Sequence, residues 1–102
     1  MTNIYKEFYN DDLPSTATAL FTAAGEVFIK DVSLVVHGGS TETVELFIGS
    51  ALDQRLWRKV ELLDGEGGEF SGTKIVPSGS AFFGRTSNPT SVSITISGME
   101  KT

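Results

Sequence analysis

The chain contains no cysteine, a single histidine, three prolines and no uninterrupted apolar run of bilayer-spanning length. The first absence excludes disulfides, thiolate nucleophiles and thiolate metal sites, leaving burial and backbone pairing to hold a core. His37, alone and beside a glycine, reads as a loop residue, since one imidazole without cysteine makes a poor metal site. A membrane-spanning helix needs about 18 consecutive apolar residues. The opening 1-MTNIYKEFYNDD-12 lacks the basic-then-apolar order of a signal peptide, so no export by that route is expected. Positive charge is scarce too: eight Lys and Arg stand against 13 Asp and Glu, a net charge of -5. That balance opposes phosphate binding, which rests on basic side chains displacing counterions. The one basic cluster, Arg55, Arg58 and Lys59, reads as a solvated strand face. Neither nucleic acid nor membrane is expected as a partner.

What is present is a folded-domain composition, with 39% apolar and 21% charged residues over 102 positions. One core is all that this length supports. From Thr18 onward, β-branched and aromatic runs alternate with Gly, Ser and Asp breaks, and no stretch holds a 3.6-residue period. Strands are expected at Ala19–Thr22, Val27–His37, Thr43–Gly49, Leu56–Leu63, Thr73–Val76, Ser80–Thr86 and Ser91–Ser97. The expected fold is all-β, an antiparallel β-sandwich of jelly-roll-like topology over residues 18–102. Val32, Leu34 and Val36, then Val44, Leu46 and Ile48, mark core stripes. In the stretch 91-SVSITIS-97, Val92, Ile94 and Ile96 should enter the core opposite them. The loop 37-HGGSTE-42 has the two glycines of a tight hairpin, so its flanking strands are expected to be antiparallel neighbours.

Residues 1–17 look different. Ile4, Tyr5, Phe8 and Tyr9 have the spacing of one helical face, and Asp11, Asp12 and Pro14 follow. The segment is expected to be an N-terminal arm or short helix lying on its own domain or on a neighbour, because so short a piece cannot bury four large groups by itself. Deleting residues 1–12 is expected to leave a folded domain. Trp57 faces either a partner subunit or the half-buried edge of a sheet. These five residues, Ile4, Tyr5, Phe8, Tyr9 and Trp57, are the candidate interface set.

Catalytic constellations are not assembled. The serines and threonines have no neighbouring imidazole and no G-x-S-x-G elbow. The carboxylate pairs Asp11/Asp12 and Glu66/Glu69 lie in segments expected to be too mobile for a fixed acid/base separation. The stretch 64-DGEGGEFSG-72 reads as a mobile acidic connection. Asp64, Glu66 and Glu69 are hard oxygen ligands but lack the spacing of a twelve-residue calcium loop. Its 65-GEGG-68 lacks the Lys-Ser/Thr of a phosphate loop. No enzyme activity, cofactor or metal is expected.

The segment 73-TKIVPSGSAFFGRTSNPTSVSITISGMEKT-102 resembles the C-terminal part of small all-β virion proteins of tailed bacteriophages. In those a strand runs into a Pro-Ser-Gly or Ala-Gly-Asp turn, then comes a strand of small and aromatic residues, a polar turn, and an alternating strand closed by Gly and an acid. Pro77, Ser78 and Gly79 fill the turn, with Ser80 where Asp is usual, and Gly98 and Glu100 the close. The stretch 18-TALFTAAGEVFIKDVSLVVHGGSTETVELFIG-49 is similar to the same family's opening strands. The resemblance implies a non-enzymatic building block of a phage particle, assembled in the bacterial cytoplasm. Such a block would be a capsid decoration or cement protein in symmetric clusters, trimers favoured, contacting the major capsid protein or other virion proteins. A tail, collar or fibre-base location is the alternative in that setting. A carbohydrate-binding module stacking sugars on Trp57, Phe82 or Phe83 is the alternative of another class.

Overall fold

The computed structural model describes residues 3–50, 52–88 and 91–101. Its strands, in chain order, are β1 (Asn3–Asp12), β2 (Thr18–Thr22), β3 (Val27–Val36), β4 (Glu42–Ser50), β5 (Asp53–Leu62), β6 (Gly67–Val76), β7 (Ala81–Thr86) and β8 (Val92–Lys101). They form two antiparallel four-stranded sheets, ordered β1-β8-β3-β6 and β2-β7-β4-β5. Of the consecutive strands only β4 and β5 pair with each other; each other connection passes from one sheet to the opposite one. This is the order of an eight-stranded jelly roll, and the expected sandwich is what the chain forms.

The core follows from two-residue alternation. Val32, Leu34 and Val36 of β3, Val44 and Leu46 of β4, and Val92, Ile94 and Ile96 of β8 are all buried. Each buried aliphatic side chain of this kind contributes roughly 1.5–3 kcal/mol. Ile96 lies beside Val32 in the same sheet, so β8 faces only the Val44 stripe across the sandwich. The Pro77–Ser80 connection is a tight turn in which Ser80 N–H donates to the Pro77 carbonyl at 3.0 Å, with Gly79 at φ 86°. That left-handed position is the one a type II turn gives to glycine.

Three expectations are corrected. β3 has β8 and β6 on its two sides, and β4 has β7 and β5, so His37–Thr41 crosses between sheets rather than closing a hairpin. A short glycine loop serves either purpose, and its length alone does not choose. The supposed acidic connection is mostly strand: β6 begins at Gly67, and only Leu63–Glu66 turns, with Glu66 N–H on the Leu63 carbonyl at 2.9 Å. Finally, of the arm and the short helix expected for the N-terminal segment the extended form is found, and residues 3–12 belong to the sandwich rather than lying outside residues 18–102. They are extended and lie on their own domain as β1, an edge strand paired with β8 from Asn3↔Lys101 to Asp12↔Ser93.

The physical reason for the last correction is a β-bulge. Register slips between Glu7 and Tyr9, which places the adjacent Phe8 and Tyr9 on the same, inward side, both packed against the core. A bulge thereby imitates helical spacing. Residues 3–12 are therefore expected to contribute to the stability of the fold. Removing them strips Phe8 and Tyr9 from the core and opens the edge of β8, a loss of roughly 3 kcal/mol or more. Thermal melts followed by circular dichroism should show Tm lowered by at least about 12 °C. A truncated chain melting within a few degrees of full length would show that β1 is dispensable.

Candidate functional site

The outward faces of the sheets are not uniform along the strands. In the first sheet, register aligns Tyr5, Met99, Phe28 and Ile75 in one row across all four strands. The rows beyond it are polar, first Glu7, Ser97 and Asp31, then Asn10, Thr95, Ser33 and Glu69. In the second sheet Ala19, Phe83, Phe47 and Leu56 make the corresponding apolar row, and Arg85, Glu45 and Lys59 the next. Both apolar rows lie toward the end of the sandwich that carries the β4–β5 hairpin. At the tip of that hairpin Leu52 is 99% exposed, and Tyr5, Leu56, Ile4 and Ile75 are each about half exposed at the same end. Single exposed apolar residues are ordinary on a protein surface. Five stand toward this end, on the outer faces of both sheets and at the hairpin tip, against Val35 and Leu63 toward the other.

The opposite end is tied by carboxylates. Glu42 is fully buried, and among the described residues it forms no ion pair. Its oxygens accept from Asn88 N–H at 2.9 Å, Asn88 Nδ2 at 2.8 Å, Thr86 Oγ1 at 2.8 Å and Ser40 Oγ at 3.0 Å. Burial pushes this carboxyl up, but the Asn88 amide, the Asn88 backbone N–H, and the Thr86 and Ser40 hydroxyls outweigh it and hold the pKa at about 2. Asp64 accepts from Gly39 N–H at 3.0 Å, and Glu66 from Leu63 N–H at 2.9 Å. Of the three acids with the chemistry of calcium ligands, Asp64 and Glu66 therefore close loops, while Glu69 stands on β6 opposite Ser33. Among the described residues, no group of three or more His, Cys, Asp or Glu side chains is placed to hold a metal ion.

The sequence matches no family model and no curated protein. Geometry alone therefore sorts the candidate interface residues. Ile4 and Tyr5 do reach the apolar end, where the Tyr5 hydroxyl bonds Ser97 Oγ at 3.2 Å and Asp31 Oδ2 at 3.3 Å. Phe8 stacks on Phe21 with centroids 4.8 Å apart, and Tyr9 donates to the Asp12 carbonyl at 2.9 Å. Trp57 meets Phe82 edge-on at 5.8 Å and Phe70 at 6.2 Å, with the Arg58 guanidinium 5.0 Å above its ring. These last three are partly buried against their own core.

Sequence reasoning missed Phe28, Met99, Ile75, Leu52 and Leu56. The available signal was parity. Met99 falls in step with the outward Ser93, Thr95 and Ser97, whereas Phe28 is in step with the inward Val32 until the bulge between Ile29 and Asp31 reverses it. Two further arrangements are structural. His37 Nε2 and Ser93 Oγ both bond Asp12 Oδ1, at 3.2 and 3.0 Å. The serine thus donates to the carboxylate and not to the imidazole. The rings named for sugar stacking do not face solvent as platforms: Phe82 and Phe83 are buried, and Trp57 packs edge-on against Phe82 and Phe70.

Proposed function

We propose that this chain is a non-enzymatic structural subunit of a tailed-phage virion, carried on the capsid surface as a decoration or cement protein. The observation that supports this reading best is the gathering of Ile4, Tyr5, Leu52, Leu56 and Ile75 at one end of the jelly roll, away from the loops that carboxylates close. A rigid sandwich with one apolar end suits a module that must sit in the same way many times on a repeating lattice. Tyr5 alone would cover roughly 150–250 Å² when buried against a capsid protein. With Phe82 and Trp57 packed into the aromatic cluster and Phe83 only 5% exposed, the carbohydrate reading has no observation in its favour.

Quantitative mass spectrometry of purified particles of the virus that encodes the chain tests the proposal. Copies in the hundreds per particle are expected; a handful would move the protein to the tail, collar or fibre base, and absence from particles would overturn the virion reading. On particles lacking the native protein, Tyr5→Ser with Leu52→Ser should weaken rebinding roughly tenfold or more if these side chains are central to the contact.

A further inference from the structure

The two flanks of the sandwich differ, and they differ in complementary ways. One flank is formed by the edge strands β1 and β2, the other by the edge strands β5 and β6. Between β1 and β2 runs a groove lined by Tyr9, Leu13, Pro14 and Leu20, with the carboxylates of Asp11 and Asp12 on its rim. Burial, and then the charges of Asp11 and Asp12, raise the pKa of the Tyr9 hydroxyl at this groove, in keeping with a negative local field. On this flank Lys6 is paired with Glu100 at 2.7 Å, and His37 Nε2 lies 3.2 Å from Asp12 Oδ1, which leaves Asp11 as the rim carboxylate without an ion pair among the described residues. The other flank carries both signs, with Asp53 and Glu61 on β5 and Glu69 on β6, but its inward positions are basic. Arg55 and Arg58 stand on β5 in register with the inward Ile48 and Leu46, and Lys74 stands on β6 in register with the inward Ile29. Their side chains therefore line the gap between the two sheets. Arg55 is largely exposed, and its distance to Asp53 is a loose 3.9 Å.

We propose that the β1–β2 flank receives the β5–β6 flank of a second copy of this chain, head to tail. The proposal rests on the reading of a repeated structural subunit and names what that subunit repeats against. Charge selects the arrangement: a two-fold contact would set the Asp11/Asp12 rim against itself, or Arg55 and Arg58 against themselves, and like charges facing across an interface are costly. Strand direction agrees. Four strands alternate in each sheet, so the two edges of a sheet run in opposite directions. Copies related head to tail then bring β6 beside β1, and β5 beside β2, antiparallel at both junctions. Three of these four edges are ten residues long, and long unpaired edges are templates for such pairing. The extents of 45 × 27 × 18 Å allow a flank of about 800 Å² per copy, the area that a standard stable interface buries on each side. A heterologous contact of this kind closes into a ring or continues as a filament, according to the rotation between copies.

Sedimentation velocity on the purified chain tests this, separately from its presence in virions, so that either proposal can fail alone. The wild-type chain should associate at low salt up to millimolar concentration and dissociate as sodium chloride is raised. Asp11→Arg in one variant, and Arg55→Glu with Arg58→Glu in another, should each weaken association roughly tenfold or more. Mixing the two variants should restore it, because each retains one wild-type flank for the other. Since Arg58 lies over Trp57, unchanged melting of both variants is the control, and the salt response of the wild-type chain stands without either substitution. A wild-type chain that stays monomeric at low salt, association that strengthens with salt, or a mixture as monomeric as its parts would overturn the proposal.

Discussion

Phe82→Ala is expected to lower the unfolding free energy by about 3–5 kcal/mol, the range for emptying a fully buried aromatic site. Phe82 is 0% exposed and stands at the middle of an aromatic chain that crosses the whole sandwich. Phe8 stacks on Phe21 at 4.8 Å, Phe21 on Phe82 at 5.7 Å, and Trp57 meets Phe82 edge-on at 5.8 Å and Phe70 at 6.2 Å. The members come from β1, β2, β7, β5 and β6, so the cavity touches contacts that clamp all four edge strands. Urea denaturation followed by Trp57 fluorescence measures the cost and also reports a red-shifted emission as water reaches the indole. Phe82→Leu, which keeps most of the volume, should recover more than half of the loss. If the alanine variant lost less than about 1 kcal/mol, the cluster would be able to collapse around the gap and would not be what holds the edges.

How much of this was legible in the sequence depends on where the two-residue period survives. β8 alternates without interruption from Val92 to Ser97, and its inward residues were readable directly. β1, β2, β3 and β5 each take part in a register slip, and each slip shifts outward and inward positions by one. That is why Phe8 and Tyr9 looked helical, and why Phe28, two pairs of residues before the inward Val32, faces outward. Strand pairing was less legible still, because the same glycine loops that close hairpins also cross between sheets. The apolar end depends on both, being assembled by register from strands far apart in sequence. Nothing local to Met99 or Ile75 shows that they share a row with Tyr5.

Glu42 illustrates a different limit, since a carboxylate at the start of a strand reads from sequence as a solvated group, yet its replacement is expected to be among the most costly in the chain. Glu42→Ala would leave the Thr86 hydroxyl and both Asn88 donors without the acceptor that orders them, at a cost on the order of 3 kcal/mol at neutral pH. The pH dependence follows from the direction of the shift. The folded carboxyl titrates at about 2 against an ordinary 4.5. Above the unfolded value the ionised group contributes its full stabilisation; as pH falls from about 4.5 toward about 2 the unfolded state binds the proton first, and that contribution, about 3 kcal/mol, is lost. Glu42→Gln keeps the shape but turns an amide N–H₂ toward donors, so it should be destabilised at pH 7 and approach the wild-type chain near pH 2. Urea titrations of both chains at those two pH values measure the gap. A gap unchanged across that range would show that shape, and not the ionised carboxylate, is what binds the β7–β8 loop to the sandwich.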